Sequence, residues 1–159
     1  ATATATPTAT PIPGDAYEPD NDCASAKTLE TGEVQTRTFQ PGPSGGITDT
    51  DVIRIDFPSV PLTRTYLVSA IGTDMKAHPN GTLRFGQCQA GADHIFEMAG
   101  LVQIRPNTSQ SVFLFLTNAA GLASADTIYT ASVEQYVGYS ALDSRSRALT
   151  AIGKEIVVP

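Results

Sequence analysis

The chain is 159 residues long, with 41% hydrophobic and 16% charged residues and a net charge of −6. This length suits one domain with extensions and excludes two full hydrophobic cores. No basic stripe that could grip phosphates is present and no apolar run approaches the roughly 20 residues of a membrane-spanning helix, which excludes nucleic acid as a partner and membrane insertion.

Residues 1–14 form a low-complexity tail in which threonine occupies every even position up to Thr10. Its prolines exclude a helix and favour an extended or polyproline II backbone. Exposed Thr/Pro/Ala stretches are typical acceptors of O-linked sugars, so we expect glycosylation here. The candidate acceptors are Thr2, Thr4, Thr6, Thr8 and Thr10.

Two interpretations of this tail lead to different functions. A surface linker would stay disordered, because it cannot bury enough apolar surface to offset its ordering entropy. A tail held in place would need a neighbouring chain, its own domain or ordered glycans as its holder. At roughly 3.3 Å per residue, residues 1–13 of the tail reach about 43 Å, enough to cross into a neighbouring subunit.

From residue 15 onward, short strand patterns alternate with turn signals. The segment 51–57 alternates strictly, which places both isoleucines and Phe57 on one side and Val52 and Arg54 on the other. Asn80 followed by a glycine predicts a tight hairpin turn. Seven or eight such strands, with no long helix before residue 139, predict an all-β antiparallel sandwich over residues 15–137. The other predicted strands are 32–39, 65–72, 81–87, 101–105, 111–117 and 127–136.

Residues 138–159 are predicted to form a C-terminal appendage. Ser140 and Asp143 form a candidate capping box that would open a short helix, and Gly153 would end it. The closing residues 154–159 read as a brief strand. This segment is apolar, terminal and β-prone, so it is also material that could be exchanged between subunits.

Cys23 and Cys88 belong to no CxxC motif. In a secreted protein such a pair predicts one disulfide, and in the cytosol it would be two inert thiols. The low charge and the small number of lysines favour an extracellular or cell-surface protein, and with it the disulfide. If the protein is exported, we expect its signal peptide to have been removed already.

Asn80 and Asn107 each match the N-glycosylation pattern. Both asparagines also suit turns, which is the favoured interpretation for Asn80. His78 and His94 have no zinc-site spacing relative to the cysteines. No nucleophile motif, phosphate-binding loop or dinucleotide fingerprint is present, so the sequence predicts a protein that is not an enzyme.

The head of the domain resembles a known family. Residues 15–29 (DAYEPDNDCASAKTL), 35–39 (QTRTF) and 49–57 (DTDVIRIDF) are together similar to the bacterial pre-peptidase C-terminal domain. The resemblance extends over about residues 15–136, and Val52 stands where the family usually has an aromatic residue. It implies a jelly-roll-like β-sandwich, secreted or on the cell surface, that serves hydrolases as a non-catalytic accessory module.

The resemblance also implies a calcium site, because some relatives bind calcium near this acidic segment. Calcium takes about six to eight hard oxygen ligands, and clustered carboxylates could supply several of them. Aspartate and asparagine beside proline are also ordinary turn residues, and this alternative stays open. By position, the candidate ligands are Glu18, Asp20, Asn21, Asp22, Asp49 and Asp51.

Two functions are consistent with these features. The favoured one is a structural subunit of an extracellular filament, in which a terminal extension enters the sheet edge of the next copy. Head-to-tail contacts of this kind do not close and therefore generate filaments. The donor would be residues 1–14 or the C-terminal residues 149–158. The other function is a non-catalytic module that binds an extracellular polymer such as collagen or a polysaccharide.

Overall fold

The computed structural model describes residues 15–40, 49–90, 93–124, 126–137 and 155–157. The predicted O-glycosylation sites between Thr2 and Thr10 lie outside the described residues. So does the helix predicted between Ser140 and Gly153. Within the described ranges the chain forms strands and turns, and no helix there is long and apolar enough to cross a membrane.

Ten strands carry the described fold, and eight of them, β2 to β9, build its two layers. All the longer predicted strands are present, with ends shifted by one or two residues. The strands are β1 (Lys27–Thr28), β2 (Val34–Thr38), β3 (Thr50–Phe57), β4 (Arg64–Gly72), β5 (Pro79–Phe85), β6 (Asp93–Glu97), β7 (Ala99–Ile104), β8 (Gln110–Asn118), β9 (Ile128–Tyr136) and β10 (Glu155–Val157).

The strands follow one hydrogen-bonded path, β1-β3-β8-β5-β6-β7-β4-β9-β2. Its link between β6 and β7 is a single residue pair, Glu97 with Ala99. The path therefore divides into two antiparallel layers, β3-β8-β5-β6 and β2-β9-β4-β7. Their inner faces enclose the hydrophobic core, as in a β-sandwich.

The pairing pattern is that of a rolled hairpin. Strand β5 pairs with β6, β4 with β7, β3 with β8 and β2 with β9, all antiparallel. The first half of the chain, β2 to β5, thus pairs strand by strand with the second half, β6 to β9. This long hairpin is folded into two layers. This is the jelly-roll arrangement, so the predicted fold class is confirmed.

Strand β3 shows how the sequence pattern directs burial. Ile53, Ile55 and Phe57 point into the core, as their alternation predicts. Val52 on the opposite face is buried as well, in a small cluster with Phe113 and Cys88. The predicted disulfide between Cys23 and Cys88 is present and covers this cluster, so the N-terminal segment shields the outer face of β3.

The hairpin turn predicted at Asn80 is wrong. Asn80 and Gly81 lie inside β5 and pair with β6 on one side and β8 on the other. A Cβ added at Gly81 would lie 1.8 Å from the backbone oxygen of Phe115. The glycine therefore permits a close approach of the two backbones, which is a common reason for glycine within a strand.

Strand β6 was not among the predicted strands, and it contains His94. The ring of His94 meets that of Phe85 edge-on, with the ring centroids 5.1 Å apart. Neighbouring Phe96 is buried in the core, whereas Ile95 is exposed. The strand is only five residues long and has one inward apolar anchor, which is too little alternation to recognise from sequence.

The brief C-terminal strand is present as β10. It pairs in parallel with β7, with Glu155 opposite Leu101 and Val157 opposite Gln103. Strand β10 therefore lies beside β7, on the side opposite to β4.

Substitution Gly81→Ala tests the close approach of β5 and β8. The added methyl group must separate the two backbones, and we expect a loss of about 1–3 kcal/mol in the free energy of unfolding. Urea denaturation measures this loss, with Thr82→Ala on the same strand as the control. Equal stability of the Gly81→Ala protein and the wild type would contradict the close approach.

Candidate functional site

The N-terminal segment, residues 15–25, lies against the start of β3. The amide of Val52 donates a hydrogen bond to the backbone oxygen of Asp20 (2.7 Å). The side chain of Asp15 accepts from the amide of Thr38 (2.6 Å). With the disulfide at Cys23, these contacts tie the segment to both layers of the sandwich.

Three carboxylates converge where this segment meets the sandwich. Glu18, Asp20 and Asp51 each place an oxygen within 4.8 Å of the others. Asp51 is on the core side of β3 because it lies two residues before Ile53, and side chains alternate along a strand. Asp20 and Asp51 are buried, at 2% and 1% exposure, whereas Glu18 is half-buried.

Two neighbouring strands of one layer, β2 and β9, supply the polar partners of these carboxylates. Arg37 on β2 and Tyr129 on β9 are opposite each other in the strand register. The guanidinium of Arg37 donates to Asp20 Oδ2, and the hydroxyl of Tyr129 donates to Asp51 Oδ2. The second oxygen of each aspartate is buried without a hydrogen-bond partner among the described residues.

Arg37 is fully buried, and its guanidinium is fixed on several sides. The Gln35 side-chain oxygen accepts from Nε (3.0 Å) and from Nη2 (2.6 Å). The ring of Tyr17 lies 4.3 Å from the guanidinium carbon, a cation–π contact. Gln35 in turn donates to the backbone oxygen of Thr28 (2.8 Å), so the guanidinium has little freedom to move.

Burial shifts the acid–base properties of the cluster. Burial raises the pKa of Asp20 to about 7, although the positive charge of Arg37 opposes the shift. Burial, together with the charge of Asp20, raises the pKa of Asp51 well above its ordinary value. The pKa of Glu18 is raised by burial and by repulsion from Asp49. The cluster therefore favours the uptake of protons or of a cation.

The structure brings together half of the predicted calcium ligands. Both oxygens of Asp49 accept hydrogen bonds from backbone amides, Oδ2 from Gln40 and Oδ1 from Thr50, and its carboxyl group also interacts with that of Asp51 in the cluster.

Asn21 and Asp22 are exposed, and Asp22 is not among the three carboxylates that converge. Asp22 accepts hydrogen bonds from the amides of Ala24 (2.9 Å) and Ser25 (2.8 Å). These bonds are typical of a turn residue, and the assignment of Asn21 and Asp22 as calcium ligands stays a prediction.

Sequence reasoning missed Gln35, Arg37 and Tyr129 as members of the site. A signal for the first two was available: Gln35 and Arg37 are in phase with Phe39, so the alternation of β2 directs all three inward. Polar residues at inward positions of a strand need buried partners. The identity of those partners depends on which strands become neighbours, and the alternation of β2 does not contain that information.

The remaining carboxylates, Glu18, Asp20 and Asp51, fit a calcium ion in ligand chemistry. All three are hard oxygen donors, and the two unpartnered buried oxygens of the aspartates are atoms that a cation would satisfy. Calcium itself stays a prediction.

The two candidate N-glycosylation sites lie in different settings. Asn80 lies within β5, half-buried, and its side-chain oxygen accepts from the hydroxyl of Thr117 (3.4 Å). Asn107 is exposed at a turn, with a φ of 58°. Asn107 is therefore the more accessible acceptor, and glycosylation at either residue stays a prediction.

No protein-family model matches this chain, and no curated protein matches it. Among solved structures, the chain is similar to the pre-peptidase C-terminal domain of a collagenase from Bacillus anthracis, with 13% sequence identity and a TM-score of 0.39. The similarity covers 68% of this chain and 93% of that chain. At this identity the likeness assigns no function to this chain.

The raised pKa values predict a pH-dependent stability in metal-free buffer. Between the ordinary pKa of Asp20, 3.8, and its folded value of about 7, the folded protein holds a proton that the unfolded chain has lost. Stability should therefore fall as the pH rises through this range, by up to about 1.4 kcal/mol per pH unit for each such group. Asp51, also raised, adds to the slope in the same direction.

Urea denaturation with a chelator, repeated at several pH values, measures this slope. The variant Asp51→Asn keeps an acceptor for Tyr129 but cannot titrate, so its slope should be shallower. The variant Asp126→Asn removes one exposed charge and controls for net charge. Parallel slopes for the wild type and Asp51→Asn would contradict the prediction.

Proposed function

We propose that this chain is a non-catalytic structural subunit of an extracellular filament, which assembles head to tail when a terminal extension pairs with the sheet edge of the next copy. The supporting observation is β10: a C-terminal strand completes the layer at β7. Without β10, β7 would present a row of unpaired backbone groups, which is a template for a strand of another chain.

The position of β10 makes exchange between copies feasible. It is parallel to β7 and is separated from β9 by residues 137–154. Its pairing uses backbone hydrogen bonds in a register that the same strand of another copy would satisfy equally well. An exchange in which each subunit donates to the next does not close on itself, and it therefore produces a chain of subunits.

The opposite edge of the same layer is less open. Strand β2 pairs with β9 on one side, and the amide of Thr38 is already bonded to the side chain of Asp15. The β7 edge therefore favours the C-terminal segment as the donor over residues 1–14.

The disulfide supports the proposed location. Cys23 and Cys88 are joined, and disulfides persist mainly in oxidising compartments such as the cell exterior. A disulfide also stabilises a subunit outside the cell, where no chaperones are available to refold it.

Electron microscopy of the purified protein tests the proposal. We expect filaments from the full-length chain and monomers from a version that lacks residues 155–159. Ile156→Pro should also abolish filaments, because proline removes a backbone donor and disfavours a paired strand, whereas Ile156→Val should retain them. Deletion of residues 1–14 tests the other donor. Monomers from the full-length protein under all conditions would contradict the filament.

The carboxylate cluster favours a second candidate, an accessory module that binds an extracellular polymer and is stabilised by calcium. A cation bound by Glu18, Asp20 and Asp51 would fix the N-terminal segment on the sandwich and so shape the surface around it.

Co-sedimentation with insoluble collagen and with crystalline cellulose, with calcium or with a chelator, tests this function. Calcium-dependent retention of a monomeric protein would support it, and absence from both pellets would count against it.

A further inference from the structure

We infer that Arg37 is a built-in cation that fastens the N-terminal segment to the sandwich without a metal ion, and that a divalent cation can use the same carboxylates only in competition with it. This inference does not depend on filament assembly. It concerns the way in which the carboxylate cluster is neutralised, which applies to either proposed function.

The N-terminal segment contacts Arg37 at two points. Asp20 accepts a hydrogen bond from Nη1, and the ring of Tyr17 covers the guanidinium. Asp20 is also bonded through its backbone oxygen to Val52, so the ion pair lies where the segment joins β3. Loss of the guanidinium would leave Asp20 buried without its charge partner, which is strongly unfavourable.

The sandwich holds Arg37 ready for these contacts. Gln35 accepts from Nε and Nη2, so Nη1 is the nitrogen that is directed toward Asp20. The guanidinium is fully buried, so its positive charge lies inside the site next to Asp20.

The same geometry creates the competition. A cation that joins Glu18, Asp20 and Asp51 must approach the unpartnered oxygens of the two aspartates. It would then lie close to the guanidinium, and two positive charges at such a distance in a poorly solvated site repel strongly. Displacement of the guanidinium would relieve this repulsion, but it would also break the bonds to Gln35 and the contact with Tyr17.

Removal of the positive charge at Arg37 is expected to strengthen the binding of a cation by the three carboxylates. We expect Arg37→Met to unfold at a lower temperature than the wild type in chelator, and to gain a larger increase in Tm on addition of calcium. Isothermal titration should show calcium binding at least about tenfold tighter in Arg37→Met than in the wild type, because the repelling charge is gone. Arg37→Lys keeps the charge and should respond to calcium as the wild type does.

Arg54→Met is the matched control. Arg54 forms an ion pair with Asp56 on the same sandwich, but both side chains are exposed. Its calcium response should equal that of the wild type. An identical calcium response in Arg37→Met and the wild type, whether strong in both or absent from both, would overturn the inference.

A measurement on the wild-type protein keeps the test decisive if Arg37→Met does not fold. The Nε–H resonance of Arg37 can be followed by NMR while calcium is added. Competition predicts that this resonance shifts as the cation displaces or repels the guanidinium, with half-saturation at the calcium concentration that raises Tm. A saturating effect of calcium on Tm with no change at the Arg37 resonance would overturn the inference.

Discussion

A charged arginine enclosed in the sandwich is the constraint on which the rest of the site depends. Burial of a guanidinium is unfavourable unless its charge is paired and its donors are bonded. Arg37 meets this requirement through Asp20 and Gln35. Because Asp20 belongs to the N-terminal segment, the segment must dock for the arginine to be paired. Docking of the segment and burial of the charge are thus one event.

The jelly-roll pairing explains why this event can occur at one end of the molecule. The rolled hairpin places β2 beside β9, which sets Arg37 opposite Tyr129. The facing layer contributes Asp51 from β3, and the Tyr129 hydroxyl joins the two layers by its bond to Asp51. The disulfide closes the outer face nearby. The site therefore joins the two layers and the segment, and its polar contacts replace apolar packing at that end of the core.

The two proposed functions use different parts of this fold. Assembly would depend on the β7 edge, where a terminal strand supplies backbone bonds and few side chains are needed for specificity. Polymer binding would depend on the cluster of Glu18, Asp20 and Asp51, where the charge of the carboxylates determines which ligands can bind. The two regions lie on different strands, so changes at Arg37 and changes at Ile156 should separate the two functions cleanly.

The amino-acid sequence by itself determined the strands with strong alternation, such as β3, and predicted the Cys23–Cys88 disulfide. Period-two burial and cysteine chemistry are local properties, so they can be recognised along the chain. Only the tertiary structure decided that Gly81 lies within a strand and that Arg37 is the cation of the acidic cluster. Both outcomes depend on which strands become neighbours, and that choice is made by packing between segments far apart in sequence.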